Sequence, residues 1–129
     1  MDYHYTKKLK RPFEEVITKI TENLQKQGFG IITTIDFKDT LQKKLGITFR
    51  NYRILGACNP EFAYKVITLE SHMGLMLPCN VLVQEHENGE VELSAINPME
   101  SMPETLNPDI EWIAQEVSNR LRTAVDEVQ

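Results

Sequence analysis

The sequence predicts a compact α+β unit spanning residues 1–129, and three observations carry that prediction. Short alternating or β-branched segments recur along the chain, as half-buried strands require. Two of them flank Glu87-Asn88-Gly89, and an Asn-Gly pair suits a tight hairpin because both residues tolerate positive φ. The last segment puts Ile110, Ile113, Ala114, Val117, Leu121 and Val125 on one side of a helix of about five turns.

In chain order, Asp2 to Leu9 alternates around Tyr3 and Tyr5 and reads as a first strand. Pro12 suits the first turn of a helix, where its missing N–H costs nothing. Phe13, Val16, Ile17, Ile20 and Leu24 follow at helical spacing, and Gly28 closes that helix. Phe29 to Ile35 is a second strand. Asp36 caps a short helix with Leu41 and Leu45 turned inward and Gly46 at its end. Tyr52 to Cys58 is a third strand, and Asn59-Pro60 starts a helix through Phe62, Ala63, Val66 and Ile67 that ends by Gly74. Cys79 to Glu85 and Glu90 to Ile96 form the hairpin. A loop rich in proline and methionine runs from Asn97 to Leu106, and Asn107-Pro108 starts the last helix.

A chain of 129 residues matches one ordinary domain and can bury roughly two-thirds of its unfolded surface. With 41% hydrophobic and 26% charged residues it is built to fold, and no apolar run nears the ~20 residues of a membrane span. The N-terminal residues lack the basic-then-apolar pattern of a secretory signal, so the expected address is the cytoplasm and no membrane partner is expected. Two cysteines there are read as reduced thiols. A net charge of −5 repels phosphate backbones, and the one dense basic run, Lys7-Lys8-Leu9-Lys10-Arg11, reads as a solvated strand end. No nucleic-acid partner is expected.

Five blocks carry a resemblance: Gly28-Phe29-Gly30, Thr40-Leu41-Gln42-Lys43-Lys44-Leu45-Gly46, Ile54-Leu55-Gly56-Ala57-Cys58-Asn59-Pro60 with Ala63, Gly74-Leu75-Met76-Leu77-Pro78-Cys79-Asn80, and Ile96-Asn97-Pro98. Together they resemble the domain-of-unknown-function 302 family over nearly the whole chain. The paired Cys-Asn-Pro and Pro-Cys-Asn motifs are the most specific part. The resemblance implies a curved, mainly antiparallel sheet packed against a long C-terminal helix. That is a TATA-binding-protein-like arrangement of strand, helix, four strands and helix, with two short helices inserted. It also implies a homodimer, and it carries over no catalytic residue. Arg11 departs from the family pattern, since a small capping residue would be expected before Pro12.

With strands three and four antiparallel neighbours, the end of one meets the start of the other. Cys58 and Cys79 then fall near each other with Asn59 and Asn80 beside them, and Cys58 precedes a helix N-terminus that favours a thiolate. The plainest reading of both thiols is packing, because free cysteine behaves as a small hydrophobe. The functional reading is a ligand pocket at Cys58, Asn59, Cys79 and Asn80, bounded by the loop from Met73 to Met76. A thiol-based redox or nucleophilic enzyme using Cys58 and Cys79, and a dimeric interaction module, are the alternatives. No base can be assigned to a nucleophile, so catalytic residues and any cofactor stay open. No metal is expected: Cys-x-x-Cys and closely spaced histidines are absent, and the methionine pairs Met73/Met76 and Met99/Met102 read as cavity or interface lining rather than soft-metal or haem ligands. Tyr64 and Trp112 are expected at the edge of the core, and the glutamates around the hairpin as a solvated rim.

Overall fold

The computed structural model describes residues 2–102 and 107–129. Its elements are β1 (His4–Leu9), α1 (Phe13–Lys26), β2 (Gly30–Asp36), α2 (Phe37–Leu45), β3 (Tyr52–Cys58) and α3 (Pro60–Leu69). A 3-10 turn (Ser71–Met76), β4 (Cys79–Glu85), β5 (Val91–Ile96), α4 (Pro98–Ser101) and α5 (Pro108–Asp126) complete them. The strands form one sheet in the order β1-β5-β4-β3-β2, antiparallel at every junction.

The sheet corrects the expected curved, TATA-binding-protein-like arrangement. It is open, with β1 and β2 as separate edges, and it neither curls nor closes. Five strands are fewer than the roughly eight that close a filled barrel. Bulges are the usual device for bending a sheet, and the register shift here, between Ile31 and Thr33, lies on edge strand β2. The central pairs β3–β4 and β4–β5 keep an unbroken register and carry no bulge.

Alternation along the strands sends Leu55, Ala57, Cys79, Val81, Val83, Val91, Leu93 and Ala95 to one face. There they share a core with Val16, Ile20 and Leu24 of α1 and Ile113, Leu121 and Val125 of α5. Each large side chain buried this way contributes about 1.5–3 kcal/mol. The C-terminus of α5 is tied to edge strand β1. Tyr5 donates its hydroxyl to Asp126, and Lys7 Nζ donates to the carbonyls of Asp126, at 3.0 Å, and Val128. The opposite face carries Tyr52, Ile54, Asn80, Leu82, Gln84, Glu92, Ser94 and Ile96.

Several local expectations need adjustment. Pro12 caps α1 without a side-chain hydrogen bond, while Arg11 instead pairs with Glu15 one turn on. Helix α2 forms and is capped by Asp36 and closed by Gly46 (φ 66°), yet it buries no residue, and Leu45 faces solvent. Helix α3 stops at Leu69, because Glu70 turns extended (φ −148°) and its carboxylate accepts from the His72 N–H to start the 3-10 turn. Within the expected loop, Pro98–Ser101 forms a helical turn capped by Asn97, and residues 103–106 lie outside the described residues.

Candidate functional site

The antiparallel register brings the end of β3 to the start of β4: Ala57 faces Cys79 and Gly56 faces Asn80. Cys58, one position beyond Ala57, therefore leaves the strand on the face opposite to Cys79. Both thiols are free. Cys79 is buried on the core side, and burial, with a smaller contribution from the neighbouring Cys58, pushes its thiol up to about 11. Such a group stays protonated near neutral pH and is a poor nucleophile. Asn59 is occupied as the cap of α3, accepting the Phe62 N–H at 3.1 Å. Met73 is sealed in the core. Of the six residues singled out in the sequence, Cys58, Asn59 and Met73 thus serve strand, cap and core.

Cys79, Asn80 and Met76 share a cavity of about 220 Å³. The 3-10 turn and the segment into β4 supply one wall, Leu75, Met76, Leu77 and Pro78, and the Leu77–Pro78 peptide bond is cis. The end of β5 and α4 supply the other, Ile96, Pro98, Ser101 and Met102. Asn97 fixes that second wall, since its Oδ1 accepts the Met99 N–H at 3.1 Å and the Ser118 hydroxyl at 2.9 Å. Most of the side chains lining the cavity are apolar, and Asn80 and Ser101 bring polar groups to it.

Beside this cavity, the face of the sheet away from α1 and α5 holds a groove of about 410 Å³. Its floor is Ile54, Leu82 and Ser94, with Tyr3, His4 and Tyr52 at its sides. A polar chain crosses it. Arg50 Nε and Nη2 donate to Gln84 Oε1 at 3.1 and 2.9 Å, and Gln84 Nε2 donates to Glu92 Oε2 at 3.3 Å. His86 Nε2 lies 3.2 Å from Glu92 Oε1. Ser94 pairs with the Thr6 hydroxyl at 2.8 Å. A third concavity, about 370 Å³, opens between α3 and α5 beside Tyr64 and Trp112. Both aromatics are far more exposed than the expected core-edge positions. Among the described residues no cluster of three or more His, Cys, Asp or Glu could hold a metal ion, and no helix is long and apolar enough to cross a membrane.

The family model described as a domain of unknown function, DUF302, matches residues 5–128. The chain belongs to the DUF302 family. Among solved structures it resembles the crystal structure of an uncharacterized conserved DUF302 protein from Bacillus stearothermophilus, with 29% identity, a TM-score of 0.88 and 98% of each chain covered. A comparison with curated proteins finds no match. The two Cys-Asn motifs of this chain thus fall on either side of one sheet junction. The Cys-Asn-Pro motif closes β3 and caps α3, whereas the Pro-Cys-Asn motif opens β4 and lines the cavity.

The groove went unread in the sequence. Its signal was present: Glu92, Ser94 and Gln84 interrupt apolar strands at alternate positions, and of these only Glu92 belongs to the hairpin glutamates expected at a solvated rim.

Proposed function

We propose that this chain binds a small, largely apolar ligand in the cavity at the start of β4. The observation that carries the reading is that Met76, Cys79 and Asn80 converge on one space walled by Leu77, Pro78, Ile96 and Met102. In this reading Cys79 is a wall and Asn80 supplies the polar contact that orients the ligand. The binding unit is taken as the whole chain, 1–129, because the family match runs over residues 5–128. The thiol-enzyme alternative has less support. Cys79 is held protonated, and Cys58 leaves the sheet on the opposite face.

The test uses 1-hexanol as the probe, titrated into uniformly 15N-labelled protein. Amide shifts should concentrate at Leu77, Cys79, Asn80 and Ile96, and Ser101→Phe, which places a ring in the cavity, should abolish them. Shifts scattered elsewhere, or unchanged in Ser101→Phe, would refute the reading.

A further inference from the structure

The two edges of the sheet are not alike. Edge strand β1 carries Lys7 and Lys8, and Lys7 is also tied to the carbonyls of Asp126 and Val128. Lysines on an edge strand oppose the docking of another strand. Edge strand β2 has no lysine and no proline, and its single charge, Asp36, is its last residue. Every residue of β2 except Ile31 is exposed, Ile32 by 61% and Ile35 by 44%. Helix α2 lies along β2 and β3 but leaves β2 uncovered. The register shift between Ile31 and Thr33 is the protective feature that β2 does have, since a bulge disturbs an edge. Beyond it, Thr33 to Asp36 pairs regularly with β3.

The register shows which backbone groups of β2 are open. The Glu85 N–H donates to the Asn51 carbonyl at 2.9 Å, one step beyond the Tyr52–Gln84 pair. Bonding alternates along an antiparallel pair, so Arg53, Leu55 and Ala57 turn their backbone groups to β4, and Ile54 and Gly56 turn theirs to β2. Their partners on β2 are Ile35 and Thr33. Thr34, between those two, points its N–H and C=O away from the sheet, where no backbone group among the described residues meets them. A two-fold axis at Thr34 would let this residue exchange both bonds with Thr34 of a second copy, and would set Thr33 opposite Ile35. The two Asp36 residues would then stand about 14 Å apart along the strands, beyond the ~8 Å Debye length of physiological salt. Around the strand, Arg53 pairs with Glu14 and lies 3.9 Å from Asp36, while Lys43 pairs with Asp39. The remaining cations nearby, Lys26, Lys38 and Lys44, belong to the flanking helices rather than to the strand.

We propose that β2 is an assembly edge: two copies of this chain join antiparallel through Thr33 to Asp36, about a two-fold axis at Thr34, into one ten-stranded sheet. A second copy is the occupant because this pairing closes. It consumes the uncharged edge of both copies and leaves outside only the two β1 edges, which carry Lys7 and Lys8. Pairing β2 with β1 of another copy would instead extend head to tail. Even with α2 included, β2 and α2 offer 16 residues, fewer than the roughly 20–30 a side of a standard interface. The dimer is therefore weak, with a Kd on the order of 10 μM. The pairing does not depend on the cavity at the start of β4.

Analytical ultracentrifugation of the wild type, Thr34→Pro and Thr34→Lys, up to about 300 μM, tests it. Proline removes an outward N–H that β3 does not use, and lysine puts two like charges on the axis while keeping the N–H. The wild type should form dimers, and each variant should raise Kd by about tenfold or more. Urea denaturation at low concentration checks that the variants fold, and Thr34→Lys decides if the proline strains the strand. Hydrogen exchange adds a direct reading, since the Thr34 amide should exchange more slowly as protein concentration rises. A wild type that stays monomeric overturns the proposal and leaves the edge to a strand of another protein. A dimer equally stable in Thr34→Lys, or one that forms without slowing exchange at Thr34, joins through another surface and overturns it as well.

Discussion

Gly56 offers a sharp test of how the cavity is framed. It pairs with Asn80 across the β3–β4 junction, and a Cβ built on it would lie 2.1 Å from Thr33 Oγ1 and 2.8 Å from Pro78 Cγ. Neither neighbour yields easily. Threonine is stiff at χ1, and Pro78 is a ring in the cavity wall. Overpacking typically costs 1–3 kcal/mol, and two sub-contact distances place Gly56→Ala toward the top, at about 2–3 kcal/mol. An unfolding entropy of about 2.1 cal/mol/K per residue over 129 residues gives about 0.27 kcal/mol/K, hence a Tm lower by about 10 °C. Thr33 is exposed, so Thr33→Ala alone should stay within about 0.5 kcal/mol. In that background the 2.1 Å clash is gone and the 2.8 Å contact remains. Gly56→Ala should then cost about 1 kcal/mol, a coupling of at least about 1 kcal/mol in a double-mutant cycle. Urea denaturation of the four proteins measures it. A Gly56→Ala cost below about 0.5 kcal/mol, or the same cost in both backgrounds, would refute the packing described for this junction.

Cys79 should make stability fall in alkali. Its folded thiol lies near 11 against an ordinary 9.0, so the unfolded chain gives up this proton first. The stabilisation is complete below about pH 9 and is lost as pH rises through 11, about 2–3 kcal/mol in all. Tyr5 is also raised, chiefly by its hydrogen bond to Asp126, and acts in the same direction. The measurement is therefore the difference between wild type and Cys79→Ala in urea from pH 8 to 11, and parallel curves would rule out the assignment. Asn59→Ala should lower stability by about 1 kcal/mol through the lost α3 cap while leaving hexanol binding intact. Asn80→Ala should do the reverse, and an exchange of these two phenotypes would show the two asparagines misassigned. Asn97→Ala removes the acceptor of two hydrogen bonds at a buried position and should cost about 2 kcal/mol in urea denaturation. A cost near zero would mean α4 is not held through that side chain.

Much of this molecule was already written in local sequence. Asn59-Pro60 and Asn107-Pro108 announce their helices because an asparagine cap and an N-terminal proline act within one turn, and both caps are made. The Asn88-Gly89 hairpin is equally local, with Gly89 at φ 83°. The stripe of α5 is buried as its spacing requires. What failed was whatever depended on a distant partner. Leu41 and Leu45 fit an inward stripe, but α2 lies along β2 and β3 without a second element over that stripe among the described residues, and it buries none of its residues. Trp112 and Tyr64 are large enough for a core, yet the core is filled from the sheet and α1, which leaves them at the surface.

The same division runs through the candidate site. The two Cys-Asn motifs drew attention to the β3–β4 junction, because polar residues amid apolar strands are conspicuous in a linear chain. Sequence marked Asn59 as a cap through the Pro60 that follows it. Only strand pairing placed Asn80 at a cavity. Nor could sequence join Met102 to Leu77, because that meeting depends on how β4 and β5 lie side by side. Caps, turns and stripes are set by interactions within a few residues and are legible along the chain. Which side chains enclose a common space is set by packing between elements, and that only the tertiary structure decides.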